Sequence, residues 1–600
     1  MSAPLITTLA ADLRTAPPPS PEEYASGPAA GVAYRGALSG LVDAAVQELF
    51  AEAWEAVAGD GGPHPVRGLA LAFVGSQARR DAGPLSDLDC LLIHDGTHPA
   101  ALIEDIARRL WYPIWDAGLR LDHSVRSLEE CRRIAGADLP AAVGLLWIRH
   151  IAGDTSLTER AASAVLTDWR GSARRRLPDL LSSAEQRRER AGELAYLVEP
   201  DIKEARGGLR DAALVEALVA TWLTDRPRGP FDDSLHHLLD LRDALHASAS
   251  RPTARLGRHD QAEVAARLGI SLRALPASLS ADDPVDALYR VTAEAARHIQ
   301  FALGATARRA EYALRASPRP FRLARRRHVA PHLREHAPGV LEHEGELVLA
   351  AGADPAADPG LALRLASAAL TSRLPISTTA LATFTGSSPP REPWSEDNRA
   401  HLLTLLAGGE AMIPVAEALD LAGLLTTWMP EWAEVRDRPQ RAPIHRHTVD
   451  RHILETLAIA ATLATELDER DRTTLLLAAL LHDIGKVAGA GDHSVEGAGR
   501  TPAILERWGM GACAADVTFL VRHHLLLGDA VRSDPDDTEL TTHLAGVVGD
   551  ERKLDLLARL TEADGRAVGP QAWTEWRAGL LARLVERVAG ALRSGEGKVP

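Results

Sequence analysis

Cysteine is nearly missing from this 600-residue chain: Cys90, Cys131 and Cys513 are the only three, and they lie far apart. Three widely spaced thiols exclude a disulfide framework and a cysteine-ligated zinc site. Long apolar runs are missing too. No stretch reaches the roughly 18 residues that a membrane helix needs. Met1–Tyr24 lacks the basic-then-apolar pattern of a secretory leader, and Pro17-Pro-Pro-Ser-Pro reads as a flexible lead-in. A cytoplasmic protein with no membrane partner is expected. Positive charge is also in deficit, with 67 Lys and Arg against 82 Asp and Glu and a formal net charge of −15. A phosphate backbone demands a basic surface, so this balance argues against nucleic acid as a partner. The local clusters Arg174-Arg-Arg and Arg325-Arg-Arg-His read as solvated helix faces or ends. No short repeat is present. What remains is 46% hydrophobic and 25% charged, an ordinary globular composition, and the length suits three or four domains.

Two constellations stand out against that background. In the first, the apolar run Leu71-Ala-Phe-Val ends in Gly75-Ser76, and Asp87-Leu88-Asp89 follows just before a second apolar run. On a strand, residues i and i+2 point to one side, so Asp87 and Asp89 can grip the same hard cations. Magnesium is commonly held by one or two carboxylates together with substrate phosphates. Gly75 permits close approach of a triphosphate, and Ser76 offers a hydroxyl donor. Strand, Gly-Ser turn, gap and carboxylate pair together resemble the DNA polymerase beta-type nucleotidyltransferases. Leu119-Arg-Leu-Asp-His-Ser-Val-Arg alternates like a further strand, and Asp122 on it is the candidate third carboxylate, with an exposed strand residue as the alternative.

In the second constellation, the all-apolar run Leu475–Leu481 ends in His482-Asp483. A helix apolar all round is buried, and a buried imidazole beside a carboxylate needs partners or a metal. Candidate partners are His452 upstream and His493, His523, His524 and Asp564 downstream. Imidazole plus carboxylate suits manganese, iron, zinc or magnesium, which can acidify a water for attack on phosphorus. The His452, His482-Asp483, Asp564 order resembles the HD phosphohydrolases. His493, His523 and His524 enter if the site holds two metals. His445, His447 and His543 read as caps or satisfied core groups.

A nucleotidyltransferase motif followed by an HD motif resembles the bifunctional PII uridylyltransferase and uridylyl-removing enzymes. Tyr196-Leu-Val-Glu-Pro-Asp-Ile-Lys-Glu-Ala-Arg-Gly-Gly-Leu-Arg-Asp is similar to a characteristic stretch of that family, and Trp428-Met-Pro-Glu-Trp, Thr448-Val-Asp-Arg-His, Gly491-Asp-His-Ser, Val521-Arg-His-His and Leu560-Thr-Glu-Ala-Asp follow in family order. The resemblance implies Mg2+ at Asp87 and Asp89, and a divalent ion at the HD site. It implies UTP as substrate and a PII signal protein as partner, in nitrogen control. Lys203 and Arg210 are implied as neutralisers of triphosphate charge, while Gly207-Gly208 make a tight turn, either beside nucleotide or between helices. Ser76-Gln-Ala-Arg-Arg departs from the family's glycine-rich turn. The family usually continues into two small ACT domains, for which no segment remains before Pro600; a short member and a truncated chain both fit, and glutamine control by that route is not expected.

The expected fold class is α+β: a mixed-sheet nucleotidyltransferase domain over 30–160, then a helical PII-uridylyltransferase-type region over 161–384, punctuated at Pro318-Arg-Pro. A linker and helical connection over 385–439 leads to an all-α HD domain over 440–570 and a C-terminal helix and tail over 571–600. Residues 1–29 are expected to be flexible. The rivals are a PII adenylyltransferase using ATP, a tRNA nucleotidyltransferase or poly(A) polymerase-like enzyme, and a non-catalytic scaffold. The acidic balance and the Glu199–Asp211 stretch disfavour the second. Intact Asp87, Asp89, His482 and Asp483 disfavour the third.

Overall fold

The computed structural model describes residues 2–58, 66–227, 229–272, 283–315, 333–440, 447–532 and 537–594. Pro318-Arg-Pro, Arg325-Arg-Arg-His and His445 lie outside the described residues. The chain divides into two compact units. One comprises Met1–Ala195, Glu199–Ala274 and Val291–Arg319; the other comprises Tyr196–Val198, Leu275–Arg290 and Pro320–Pro600.

The first unit is built on four strands: β1 (Leu69–Val74), β2 (Leu88–His94), β3 (Leu121–Ser127) and β4 (Ile148–Gly153). Their order is β3-β2-β1-β4. β1 runs antiparallel to both neighbours, whereas β2 and β3 are parallel. Leu69 to Phe73 are fully buried, as expected of a central strand covered on both faces. Helices Ala29–Ala58 and Ala100–Asp116 supply Leu38, Val42, Leu49, Ile106, Leu110 and Ile114 to one core. Leu88, Cys90 and Leu92 of β2 join it. The two-residue period of the strand then turns Asp89 to the other face.

The opening segment is not a flexible lead-in. Residues Ser2–Thr15 form a helix whose Ile6, Leu9 and Leu13 are buried in the same core. Spacings of three and four place them on one stripe. The proline run that suggested flexibility merely ends the helix, since proline disfavours helical conformation in the residue before it.

Beyond residue 150 helices dominate, as the composition predicts. The segment expected to be one helical region over 161–384 contributes to both units. It also contains strands that the sequence reading missed: β5 (Arg334–Ala337), β6 (Val340–His343) and β7 (Glu346–Leu349), an antiparallel three-stranded sheet in the second unit. Gly339 and Gly345, at φ +79° and +78°, make its turns. Four-residue strands carrying His and Glu lack the β-branched runs by which a strand is recognised. Residues 385–439 are no linker between units: they lie within the second unit and bury Trp394, Leu402, Leu419 and Trp432. The HD region is all-helical, with Val449–Leu463, Glu469–Leu481, Ala514–His523 and Glu551–Val568 packed on one another. Among the described residues, no single helix is long and apolar enough to cross a membrane.

Candidate active sites in the two units

The first unit contains a cleft of about 1200 Å3, lined by Gly75, Ser76, Asp87, Asp89, Asp122, Lys203 and Arg210 among others. Every residue expected at a transferase site therefore faces one space. Asp87 immediately precedes β2, and Asp89 lies within it. Parallel pairing sets Asp89 directly against Asp122 on β3, so the candidate third carboxylate stands beside the first two. Burial pushes the Asp89 pKa up to about 6, and the charges of Asp122 and Asp87 push the same way while Lys203 and Arg79 oppose them. Clustered carboxylates resist ionising together, and a bound cation relieves that repulsion. The donor set therefore fits a hard divalent ion of the magnesium type.

Gly75 opens the five-residue helix Gly75–Arg79 at φ +57°. A Cβ there would come within 3.1 Å of Asp89 Oδ2 and press on that carboxylate, and the positive φ itself favours glycine. Gln77 is buried and donates from Nε2 to the Asp87 carbonyl at 3.4 Å, which joins this helix to the carboxylate segment. The Gly207-Gly208 pair is explained by packing. Added Cβ atoms would meet the Ala296 carbonyl at 2.5 Å and the Ile202 carbonyl at 2.7 Å. Arg210 is ion-paired with Glu204 at 2.7 Å.

Arg120 was not anticipated. Its guanidinium donates to Asp87. The available signal was its place two residues before Asp122, on the same side of the alternating segment.

In the second unit His452, His482, Asp483 and Asp564 converge. His452 Nε2 lies 2.9 Å from Asp564 Oδ1, 3.4 Å from His482 Nε2 and 3.6 Å from Asp483 Oδ2. Asp483 Oδ1 faces a second pair, with His493 Nε2 at 3.5 Å and His524 Nε2 at 3.7 Å. Ligand atoms of His452, His482 and Asp483 form one compact group, and those of Asp483, His493 and His524 form another. Asp483 thus belongs to both. His482 and His524 donate from Nδ1 to the carbonyls of Ala479 and Val521, at 2.9 and 2.8 Å, which points each Nε2 lone pair inward. Oδ1 of Asp483 and the Nε2 of His493 are buried without a hydrogen-bond partner in the structure, while Asp483 Oδ2 meets the Lys486 ammonium. Orphaned acceptors in a buried imidazole–carboxylate cluster are what a divalent ion would satisfy.

The electrostatics divide the cluster. Burial opposes charge on His482, but the adjacent Asp483 outweighs it and raises its pKa. Burial would raise Asp483 and Asp564, yet Lys486 and His482 hold the first below the carboxylate range and His452 holds the second there. Burial, followed by the charge of His482, lowers His524 to about 4. Burial also lowers His493, so both imidazoles are neutral and competent as ligands near neutral pH.

His523 does not join its neighbour. Its ring packs on Phe519 at a centroid distance of 4.8 Å and belongs to neither group. Consecutive helical residues point about 100° apart, so only one of the His-His pair can face the site. Lys486 was missed: its ammonium lies 2.7 Å from Asp483 Oδ2 and donates to Gln440 Oε1 at 2.9 Å. Its position three residues after Asp483, across the turn that follows helix Glu469–Leu481, was the legible signal.

Comparison with known proteins finds matches along the chain. The HD domain model matches residues 449–561, and the model described as GlnD PII-uridylyltransferase matches residues 175–219. A bifunctional uridylyltransferase/uridylyl-removing enzyme of Streptomyces coelicolor is 44% identical over 575 residues, covering 94% of this chain and 66% of that protein. The Mycobacterium tuberculosis enzyme of the same name is 40% identical over 534 residues, covering 87% and 63%. That of Corynebacterium glutamicum is 34% identical over 521 residues, covering 84% and 70%. The chain therefore spans just under two thirds of the length of the first two. At this identity and coverage the chain belongs to the bifunctional uridylyltransferase/uridylyl-removing enzyme family.

Proposed function

We infer that this chain transfers UMP from UTP to a tyrosine of a PII nitrogen-regulatory protein, releasing diphosphate, and removes the UMP by hydrolysis in the second unit. The observation that carries the reading is the carboxylate cluster: Asp89 in register with Asp122, beside Asp87, with Gly75 against Asp89. In transfer, the tyrosine oxygen bonds to the α-phosphorus, the bond to the diphosphate leaving group breaks, and the phenolic proton is lost. Asp87, Asp89 and Asp122 would hold Mg2+, which supplies charge neutralisation at the attacking and leaving oxygens. Gly75 leaves room for phosphate, Ser76 offers a hydroxyl donor, and Lys203 and Arg210 place positive charge along the cleft. In removal, water replaces the tyrosine oxygen on phosphorus. His452, His482, Asp483 and Asp564 would hold a divalent ion that acidifies this water, while Lys486 sets a positive charge beside Asp483. Separate sites let one activity run while the other is silent. The names of the relatives support both halves of the reading.

The test is incubation of the protein with PII and equal concentrations of labelled UTP and ATP. Label from UTP on a PII tyrosine, released again on continued incubation, is expected. A clear preference for ATP would make the protein an adenylyltransferase, and absence of label from either would overturn the reading.

A further inference from the structure

The helix Gly75–Arg79 is too short to stabilise itself. A five-residue helix leaves most of its backbone groups without intrahelical partners. Its C-cap, Arg80, adopts the left-handed conformation at φ +61°, a cost for a non-glycine residue. Something outside the helix must hold it in place, and the structure shows what does. Arg149 of β4 donates from Nε to the Ala78 carbonyl at 3.2 Å and from Nη2 to the Gln77 carbonyl at 2.9 Å. The same guanidinium grips Asp43 of helix Ala29–Ala58 through two contacts, Nη1–Oδ2 at 2.7 Å and Nη2–Oδ1 at 2.9 Å. Arg80 Nη2 reaches Asp43 Oδ2 as well, at 3.2 Å. Arg149 and Asp43 are 21% and 13% exposed, so water screens the pair little.

The geometry points to Arg149 as a positioning residue for nucleotide transfer, tying the Gly75–Arg79 helix to β4 and helix Ala29–Ala58 so that Gly75 and Ser76 meet the triphosphate in register with the carboxylates. This rests on the transferase reading of the cleft. Two features of the helix make its placement matter. At one end Gly75 approaches Asp89 closely, and in the middle Gln77 holds the Asp87 carbonyl. A shift of this short helix therefore moves phosphate donors and metal-binding carboxylates relative to one another. Only a guanidinium can make this set of contacts. It presents a planar fork to Asp43 and has donors left for two carbonyls, whereas a lysine ammonium cannot span both.

The experiment compares full-chain Arg149→Met, Arg149→Lys and Asp43→Asn with wild type. Arg132→Met is the control, because Arg132 makes an equally good fork on Asp168, at 2.7 and 2.9 Å, away from the helix. Binding of a fluorescent UTP analogue without PII, and kcat and KM for labelling of PII, are measured on protein whose fold is checked by hydrogen exchange. Misplacement on the order of 1 Å can cost about a hundredfold. Arg149→Met is expected to lower kcat/KM for UTP by about 10–100-fold and to weaken analogue binding. Arg149→Lys should recover part of that loss, Asp43→Asn should act in the same direction with smaller size, and Arg132→Met should match wild type. Folded Arg149→Met, or folded Arg149→Lys and Asp43→Asn should Arg149→Met not fold, with wild-type binding and kcat/KM would overturn the inference. Failure of wild type to bind the analogue or label PII would instead overturn the functional reading beneath it.

Discussion

Asp122 stands in register with Asp89 across the parallel β2–β3 pair, and its charge is the strongest electrostatic influence raising the Asp89 pKa after burial itself. Two carboxylates placed side by side on adjacent strands are unfavourable to folding unless a cation joins them.

Asp122→Asn is accordingly expected to lower the Asp89 pKa below about 6 while impairing transfer. The loss should exceed the about 10–100-fold typical of removing a group that merely supports a metal ligand. Labelling of PII across a magnesium titration checks it. A normal rate at every magnesium concentration would return Asp122 to an ordinary strand residue.

The sharing of Asp483 between two histidine pairs predicts a count. Wild-type protein should carry about two transition-metal ions per chain, and His493→Ala or His524→Ala about one, by elemental analysis after gel filtration. His523→Ala should retain both, since its ring lies on Phe519. Unchanged metal content in His524→Ala would remove the second group from the site.

Acid should weaken the first unit through His246. It is buried, and burial followed by the charge of Arg242 lowers its pKa from 6.5 to about 4, with Asp243 opposing and Arg120 assisting. Between those two values the unfolded chain binds more protons than the fold. The contribution is therefore complete above pH 6.5 and is lost as the pH falls toward 4. About 2 kcal/mol of stability should be gone near pH 5. Denaturation of wild type and His246→Gln at about pH 7.5 and about pH 5 reads the difference; an equal gap at both would contradict it.

Both sites were legible where chemistry is written locally. Asp87 and Asp89 sit two apart at the start of an apolar run, and His482-Asp483 closes the apolar run Leu475–Leu481, so neighbouring residues alone expose the conflict. Contacts made by the fold were not legible. Arg120 reaches Asp87 only because β2 and β3 pair, and Arg149 reaches Gln77 and Asp43 only because β1, β4 and helix Ala29–Ala58 come together. The choice between His523 and His524 depends on the rotation of a helix that its ligand spacing does not reveal. At the start of the chain a proline run concealed a buried stripe of Ile6, Leu9 and Leu13. The division into units was not legible for a related reason: the chain crosses between them more than once, and composition records no crossing.

The central claim is that two chemistries occupy two separately built sites, and one paired time course tests it most directly. Label on PII from UTP is followed for wild type, Asp87→Asn/Asp89→Asn and His482→Ala/Asp483→Ala, and release is followed in parallel from PII labelled beforehand. The first double variant should add no label yet release it at the wild-type rate. The second should label PII and release nothing, with its bound transition metal lost. Loss of release in the first variant, or of labelling in the second while it remains folded, would contradict the account.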